Sequence, residues 1–172
     1  MKRNIVLIGM PGAGKSTLGV ILAKTIGYGF LDTDILFCEK NKTTLQEFIN
    51  RYGIEEFLKA EEAVVESIAC KATVIATGGS AVLSQKAMTH LKKDALTVFI
   101  DIPLVELKNR IHNMKTRGIV MSPSMTIGEL YKQRLPLYKK YADAMIPQDL
   151  ASVNNMEEML EEAIRTLKHH LE

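Results

Sequence analysis

Net charge is nearly absent from this chain: 22 Lys and Arg stand against 20 Asp and Glu in 172 residues, a formal +2. That balance gives no electrostatic case for a broad nucleic-acid or anionic-membrane surface, so any strong positive potential must be local. Cysteine is scarce as well. Cys38 and Cys70 lack metal-type spacing and read as reduced thiols, in keeping with an expected cytoplasmic location. No stretch approaches the roughly 20 apolar residues that a membrane helix needs. Met1-Lys2-Arg3 imitates the start of a secretory signal, but the apolar run behind it spans only Ile5 to Ile8, which argues against one. Internal repeats, low-complexity tracts and linkers are missing too. What is present, 47% apolar and 24% charged residues, is an ordinary globular mixture, and the length favours one domain over residues 1–170. Leu171-Glu172 resembles a cloning scar and is expected to lie outside the domain.

The stretch around which the chain is organised runs from Asn4 to Thr17. Ile5 to Ile8 reads as a buried strand, and Gly9, Gly14, Lys15 and Ser16 satisfy G-x-x-x-x-G-K-[ST]. Glycines at Gly9, Gly12 and Gly14, with Ala13 between, let the loop turn back and point its N–H groups inward as a nest for phosphate oxygens. Lys15 to Ile26 has helical spacing and would aim its N-terminal dipole at the same anion. Lys15 adds a mobile positive charge for the outer phosphates, the Ser16 hydroxyl is a natural magnesium ligand, and Thr17 completes the turn. A glycine-rich turn that matches by chance is the alternative, and the strand–loop–helix order argues against it. The chain is expected to bind a nucleoside triphosphate.

Further along, Phe30 to Asp32 reads as a second strand, and Asp32 and Asp34 would face one direction if the extended conformation continues. Two carboxylates there suit metal-assisted phosphoryl transfer, one holding magnesium and the other orienting or deprotonating an attacking hydroxyl. Thr43 to Asn50 fits a short helix with Thr44 and Glu47 as a capping box. Gly53 breaks the chain, and Ile54 to Cys70 forms an amphipathic helix with Phe57, Ala60, Val64 and Ile68 on one stripe. Thr73 to Ala76 is a third strand running into Thr77-Gly78-Gly79-Ser80, either a plain turn or a place where a ligand approaches the backbone closely. Ser84 to Lys93 is helical, Leu96 to Ile100 a fourth strand, and Pro103 opens a helix carrying Arg110. His112 reads as a solvated surface side chain. Met114 to Ser124 lacks periodicity and reads as a flap holding Arg117. Thr126 to Tyr141 is a helix with Arg134, kinked or ended by Pro136. Ala144 to Ile146 is a short fifth strand and Met156 to His170 a closing helix. This alternation implies an α/β fold, a parallel sheet between helices with the ligand at the strands' C-terminal ends.

Taken together, the phosphate loop from Gly9, Leu31-Asp32-Thr33-Asp34, Thr77-Gly78-Gly79, Arg134-Leu135-Pro136-Leu137-Tyr138 and Ala142-Asp143 resemble the shikimate kinases along nearly the whole chain. The resemblance implies a three-layer αβα P-loop kinase with a five-stranded parallel sheet in the order 2-3-1-4-5, a substrate-binding insert near 34–62 and a mobile lid near 113–125. It implies ATP and Mg2+ as cofactors, a small hydroxylated and carboxylated acceptor, and a monomer. Lys15, Asp34 and Arg117 would be catalytic. Gly9, Gly12, Ala13, Gly14, Lys15, Ser16, Thr17, Arg110 and Arg117 would bind nucleotide, and Ser16 and Asp32 would hold magnesium. Asp34, Leu58, Gly78, Gly79, Ser80 and Arg134 would line the acceptor site, Arg134 pairing with its carboxylate.

Departures from the pattern concern the acceptor. The family's Phe-Arg-x-x-Glu stands here as Phe57-Leu58-Lys59-Ala60-Glu61, and Lys59, turned about 100° along the helix, does not substitute for the arginine. The third glycine of Gly-Gly-Gly is Ser80, and the lid's Arg-Pro-Leu is Arg117-Gly118-Ile119. Shikimate is the first expected acceptor and another small hydroxylated compound the second. A nucleoside monophosphate kinase is less favoured because Arg51 is the only arginine between the second and third strands. A GTPase lacks its Asn-Lys-x-Asp motif, and a silent ATP-binding protein would not need Lys15, Ser16, Asp32 and Asp34 together.

Overall fold

The computed structural model describes residues 3–111, 118–146 and 156–171. His112 and Arg117 lie outside the described residues. Five parallel strands form one sheet: β1 (Asn4–Ile8), β2 (Gly29–Asp32), β3 (Thr73–Ala76), β4 (Ala95–Ile100) and β5 (Ala144–Ile146), in the order β2-β3-β1-β4-β5. The three inner strands are buried along their whole length, which is why they read as unbroken apolar runs rather than as alternating ones.

Helices connect the strands: α1 (Lys15–Ile26), α2 (Thr33–Asn41), α3 (Leu45–Glu66), α4 (Gln85–Lys92), α5 (Leu104–Ile111), α6 (Ile127–Tyr141) and α7 (Met156–Leu171). In the packing, α1 and α7 lie together while α4 and α6 rest on β4, so that helical layers enclose the sheet. Leu18, Leu22, Met88, Leu91, Leu107 and Tyr138 bring those helices down onto the buried strands. α3 holds two helical stretches joined at Gly53, whose φ of 85° and ψ of 171° break the helix as expected. Its capping box is present: Thr44 Oγ1 accepts from Glu47 N, and Glu47 Oε2 accepts from Thr44 N. α6 runs on through Pro136 to Tyr141, so the proline does not end it. α7 extends one residue past the expected end, to Leu171.

One element is absent from the sequence reading. α2 follows β2 at once, so the extended conformation does not continue from Asp32 to Asp34. Asp32 is its N-cap: the carboxylate Oδ1 accepts from Asp34 N at 2.9 Å and Ile35 N at 3.3 Å. The consecutive apolar residues Ile35, Leu36 and Phe37 hide the helical period in the sequence. Phe37 goes inward, against Phe57 with ring centroids 4.9 Å apart. Together with Val64 and Val120 these rings form a second, smaller core that fixes α2 and α3 beside the sheet's C-terminal edge.

Candidate active site

A cleft of about 480 Å3 opens where β1, β2 and β3 end, with the phosphate loop on one side and α2, α3 and α6 on the others. Its loop side follows from glycine geometry. Gly9 sits at φ 153°, and a Cβ there would stand 2.7 Å from the Ile100 carbonyl oxygen, so only glycine lets β1 turn away beside β4. Gly14, at φ 88°, is the N-cap of α1, and Ala13 N closes the loop onto Met10 O at 3.1 Å. Gly12, Gly14, Ser16 and Thr17 line the cleft, while Ala13 is buried beneath it.

The Lys15 ammonium is buried and donates to the carbonyl oxygens of Gly9 and Met10, each at 2.8 Å. Burial pulls its pKa down to about 8; Asp34 and Asp32 work against that shift and Arg134 adds to it. Ser16 Oγ donates to Asp32 Oδ2 at 2.6 Å. This pair of hard oxygen donors, set at the first turn of α1 beside the loop, has the chemistry magnesium prefers. Asp32 thus serves two purposes, with one oxygen capping α2 and the other meeting Ser16. Asp34 reaches the cleft from the first turn of α2, so both carboxylates line it although by a different route from the extended one expected.

Opposite the loop stands the wall expected to hold the acceptor. Gly78 is hemmed in by two carboxyls: a Cβ there would meet Asp34 Oδ1 at 2.6 Å and Glu61 Oε1 at 2.8 Å. At Gly79 it would meet Pro11 Cδ at 2.7 Å and Arg134 Nη1 at 3.2 Å. At both glycines this chain's own side chains, Asp34 and Glu61 at Gly78 and Pro11 and Arg134 at Gly79, come too close to the backbone for a Cβ. Arg134 is 1% exposed and donates through Nη2 to Val120 O at 2.5 Å. Its Nε and Nη1 are buried and have no hydrogen-bond partner among the described residues. Tyr138, one turn on, donates to Gly79 O at 2.7 Å, and burial pushes its phenol up to about 12, so it remains a neutral prop for the glycine turn.

Glu61 was not singled out from the sequence. It is buried, bonded by Ser80 Oγ at 2.8 Å to each carboxyl oxygen, and burial raises its pKa to about 7. One signal was available: Glu61 falls on the stripe of Phe57 and Val64, a charged residue at an apolar position. Leu58 is not brought to the main cleft. It packs against the Phe37–Phe57 cluster and lines a side cavity of about 160 Å3 with Glu61 and Ser80, so Ser80 forms the partition between the two spaces. Arg110 lies against the phosphate loop, donating to Glu106 Oε1 at 2.9 Å and to Gly12 O at 3.3 Å.

A model of the shikimate kinase family matches residues 11–168. The chain belongs to that family. Its relatives include the shikimate kinase of Rhizobium meliloti (strain 1021), 30% identical over 172 residues, which cover 98% of this chain and 88% of that protein. Threonine synthase-like 1 of Pongo abelii is 37% identical over 146 residues, 84% of this chain but only 20% of that longer protein. Among solved structures, the shikimate kinase from Acinetobacter baumannii in complex with shikimate superposes with a TM-score of 0.86, at 29% identity, covering 99% of this chain and 94% of that one. Shikimate kinase family membership carries ATP-dependent phosphoryl transfer to a small molecule with it. No helix among the described residues is long and apolar enough to cross a membrane.

Proposed function

We propose that the protein transfers the γ-phosphoryl group of ATP to a hydroxyl of a small carboxylated metabolite, with shikimate as acceptor and shikimate 3-phosphate as product. One observation carries the acceptor class: Arg134, whose Nε and Nη1 are buried without a hydrogen-bond partner among the described residues, on the cleft wall facing the phosphate loop. A guanidinium with two free donors in fixed geometry suits a carboxylate, and leaving such donors unpaired is costly unless a ligand pairs them.

In the reaction, loop N–H groups and the α1 N-terminus hold the phosphates. Lys15 exchanges its bonds to Gly9 O and Met10 O for oxygens of the transferred group, where its charge offsets charge developing in the transition state. Asp34 accepts the proton of the acceptor hydroxyl as that oxygen bonds to γ-phosphorus and the bond to the β-phosphate oxygen breaks, releasing ADP. Ser16 and Asp32 would hold magnesium, which when bound neutralises charge on the β- and γ-phosphates. Arg117 would add a positive charge at the flap. A nucleotide acceptor is disfavoured, since Arg51 is exposed and its guanidinium lies over its own neighbour's ring, 5.4 Å from the Tyr52 centroid.

The deciding experiment is ATP turnover with shikimate, other small hydroxy acids and nucleoside monophosphates at matched concentrations. Saturable turnover is expected with shikimate, and turnover confined to AMP or CMP would overturn the proposal. Asp34→Asn is expected to lower kcat by about 10² to 10⁴ while ATP affinity stays within a few-fold. Unchanged kcat in that variant would remove Asp34 from the mechanism.

A further inference from the structure

Glu61 is a buried carboxyl to which the transfer chemistry assigns no task. Among the described residues it makes no ion pair, and the Ser80 hydroxyl bonds both of its oxygens. The rest of its side cavity is walled by Leu58, Lys59, Glu62, Leu83 and Ser84, and the one cation among them, Lys59, is paired with Glu56 at 2.7 Å rather than with Glu61. Oε1 nevertheless stands 2.8 Å from the point a Gly78 Cβ would occupy, with Asp34 Oδ1 2.6 Å from the same point, and Gly78 is cleft wall. Arg134 is close enough to draw the Glu61 pKa downward, against the larger upward push of burial.

We infer that Glu61 is a specificity-determining residue of the acceptor pocket: held by Ser80 instead of by a cation, its carboxylate opposes the acceptor's own carboxylate at Arg134. The inference rests on the acceptor reading given above. When ionised, Glu61 takes up part of the Arg134 field and adds a second negative charge beside Asp34, weakening an anionic acceptor. When protonated, it leaves that field to the acceptor. Two unit charges several ångströms apart in a partly buried site interact strongly enough to change affinity about tenfold.

The other groups around Glu61 can be distinguished from it. Asp34 faces it from α2, and Arg134 and Tyr138 face it from α6. Tyr138, at about 12, stays neutral over the assay range. On α3 itself, Lys59 is paired with Glu56 at 2.7 Å, and Glu62 with Ser84 at 2.6 Å and Lys86 at 3.4 Å. Lys15 titrates near 8 at the nucleotide end of the cleft, and it is retained in every variant below.

The test measures KM for shikimate at saturating ATP from pH 6 to 8.5, in the wild type, Glu61→Gln and Ser80→Ala. In the wild type KM is expected to rise about tenfold with a midpoint near 7. Glu61→Gln, which keeps a group for Ser80 to bond, should hold KM near the low-pH value throughout. Ser80→Ala removes the hydroxyl that favours the ionised form, so its rise should begin at higher pH; this variant decides the matter should Glu61→Gln fail to fold. A wild-type KM that does not change with pH, or the same profile in all three proteins, overturns the inference alone. Absence of saturable shikimate turnover at every pH overturns the functional reading, and this one with it.

Discussion

Replacing Lys15 with methionine is expected to lower ATP turnover by about 10³-fold or more and, in the absence of nucleotide, to raise the melting temperature at pH 7. Both effects have one origin. The ammonium is buried, and its pKa stands at about 8 in the folded protein against 10.5 for an ordinary lysine. The folded state therefore holds this proton less tightly than the unfolded chain, and the charge opposes folding at every pH below about 8. That opposition fades as pH rises from about 8 toward 10.5. At pH 7 the cost is on the order of 3 kcal/mol, several degrees in a chain of this size. Methionine keeps the buried stem and discards the charge. Melting curves from pH 6 to 10.5 should show the variant's advantage largest at the acid end and shrinking through the lysine's titration. Saturating ATP should reduce or reverse it, because only the wild type gains the full phosphate contact. A variant that melts below the wild type at pH 7 without nucleotide would mean that the Gly9 and Met10 bonds outweigh burial.

The nucleotide half of the site was legible because local covalent sequence builds it. Gly9, Gly14, Lys15 and Ser16 lie within eight residues of one another, and their spacing dictates strand, nest and helix start almost without tertiary help. The strands were readable for a related reason: fully buried parallel strands are continuous apolar runs, and β1, β3 and β4 are of that kind, whereas the sheet order came from the family resemblance. Where the reading failed, tertiary packing carried the information. α2 shows no apolar stripe, since the Phe37 ring finds its partners across α3 rather than along its own helix. Leu58 was assigned to the acceptor wall by motif position alone, whereas the partition formed by Ser80 leaves it in the side cavity. Helical period could flag Glu61 as a charge on an apolar stripe, but not its partner Ser80, nineteen residues away in sequence and in hydrogen-bond contact in space. No periodicity argument reaches that far.

Arg134→Met is expected to raise KM for shikimate by tens- to thousands-fold, the range for removing one partner of a buried charge pair, while KM for ATP changes little. The split follows from where the guanidinium's donors go. Nη2 is committed to Val120 O, which fixes the side-chain plane, and Nε and Nη1 have no hydrogen-bond partner among the described residues, so on the proposed reading they would meet the acceptor's carboxylate. Charge alone is therefore not what the position supplies. Arg134→Lys should fail to restore affinity: an ammonium is a point charge that would have to choose between the Val120 carbonyl and the acceptor's carboxylate. The measurement is KM for each substrate in both variants, with melting temperatures to confirm folding. Equal losses toward ATP and acceptor would assign Arg134 to scaffold rather than recognition, and full rescue by lysine would show that only its charge matters. Loss confined to the acceptor and unrescued by lysine would instead mean that recognition depends on planar geometry. On that outcome, since one carbonyl on the segment joining α5 to α6 sets that geometry, the backbone at Val120 would share in acceptor recognition through Arg134.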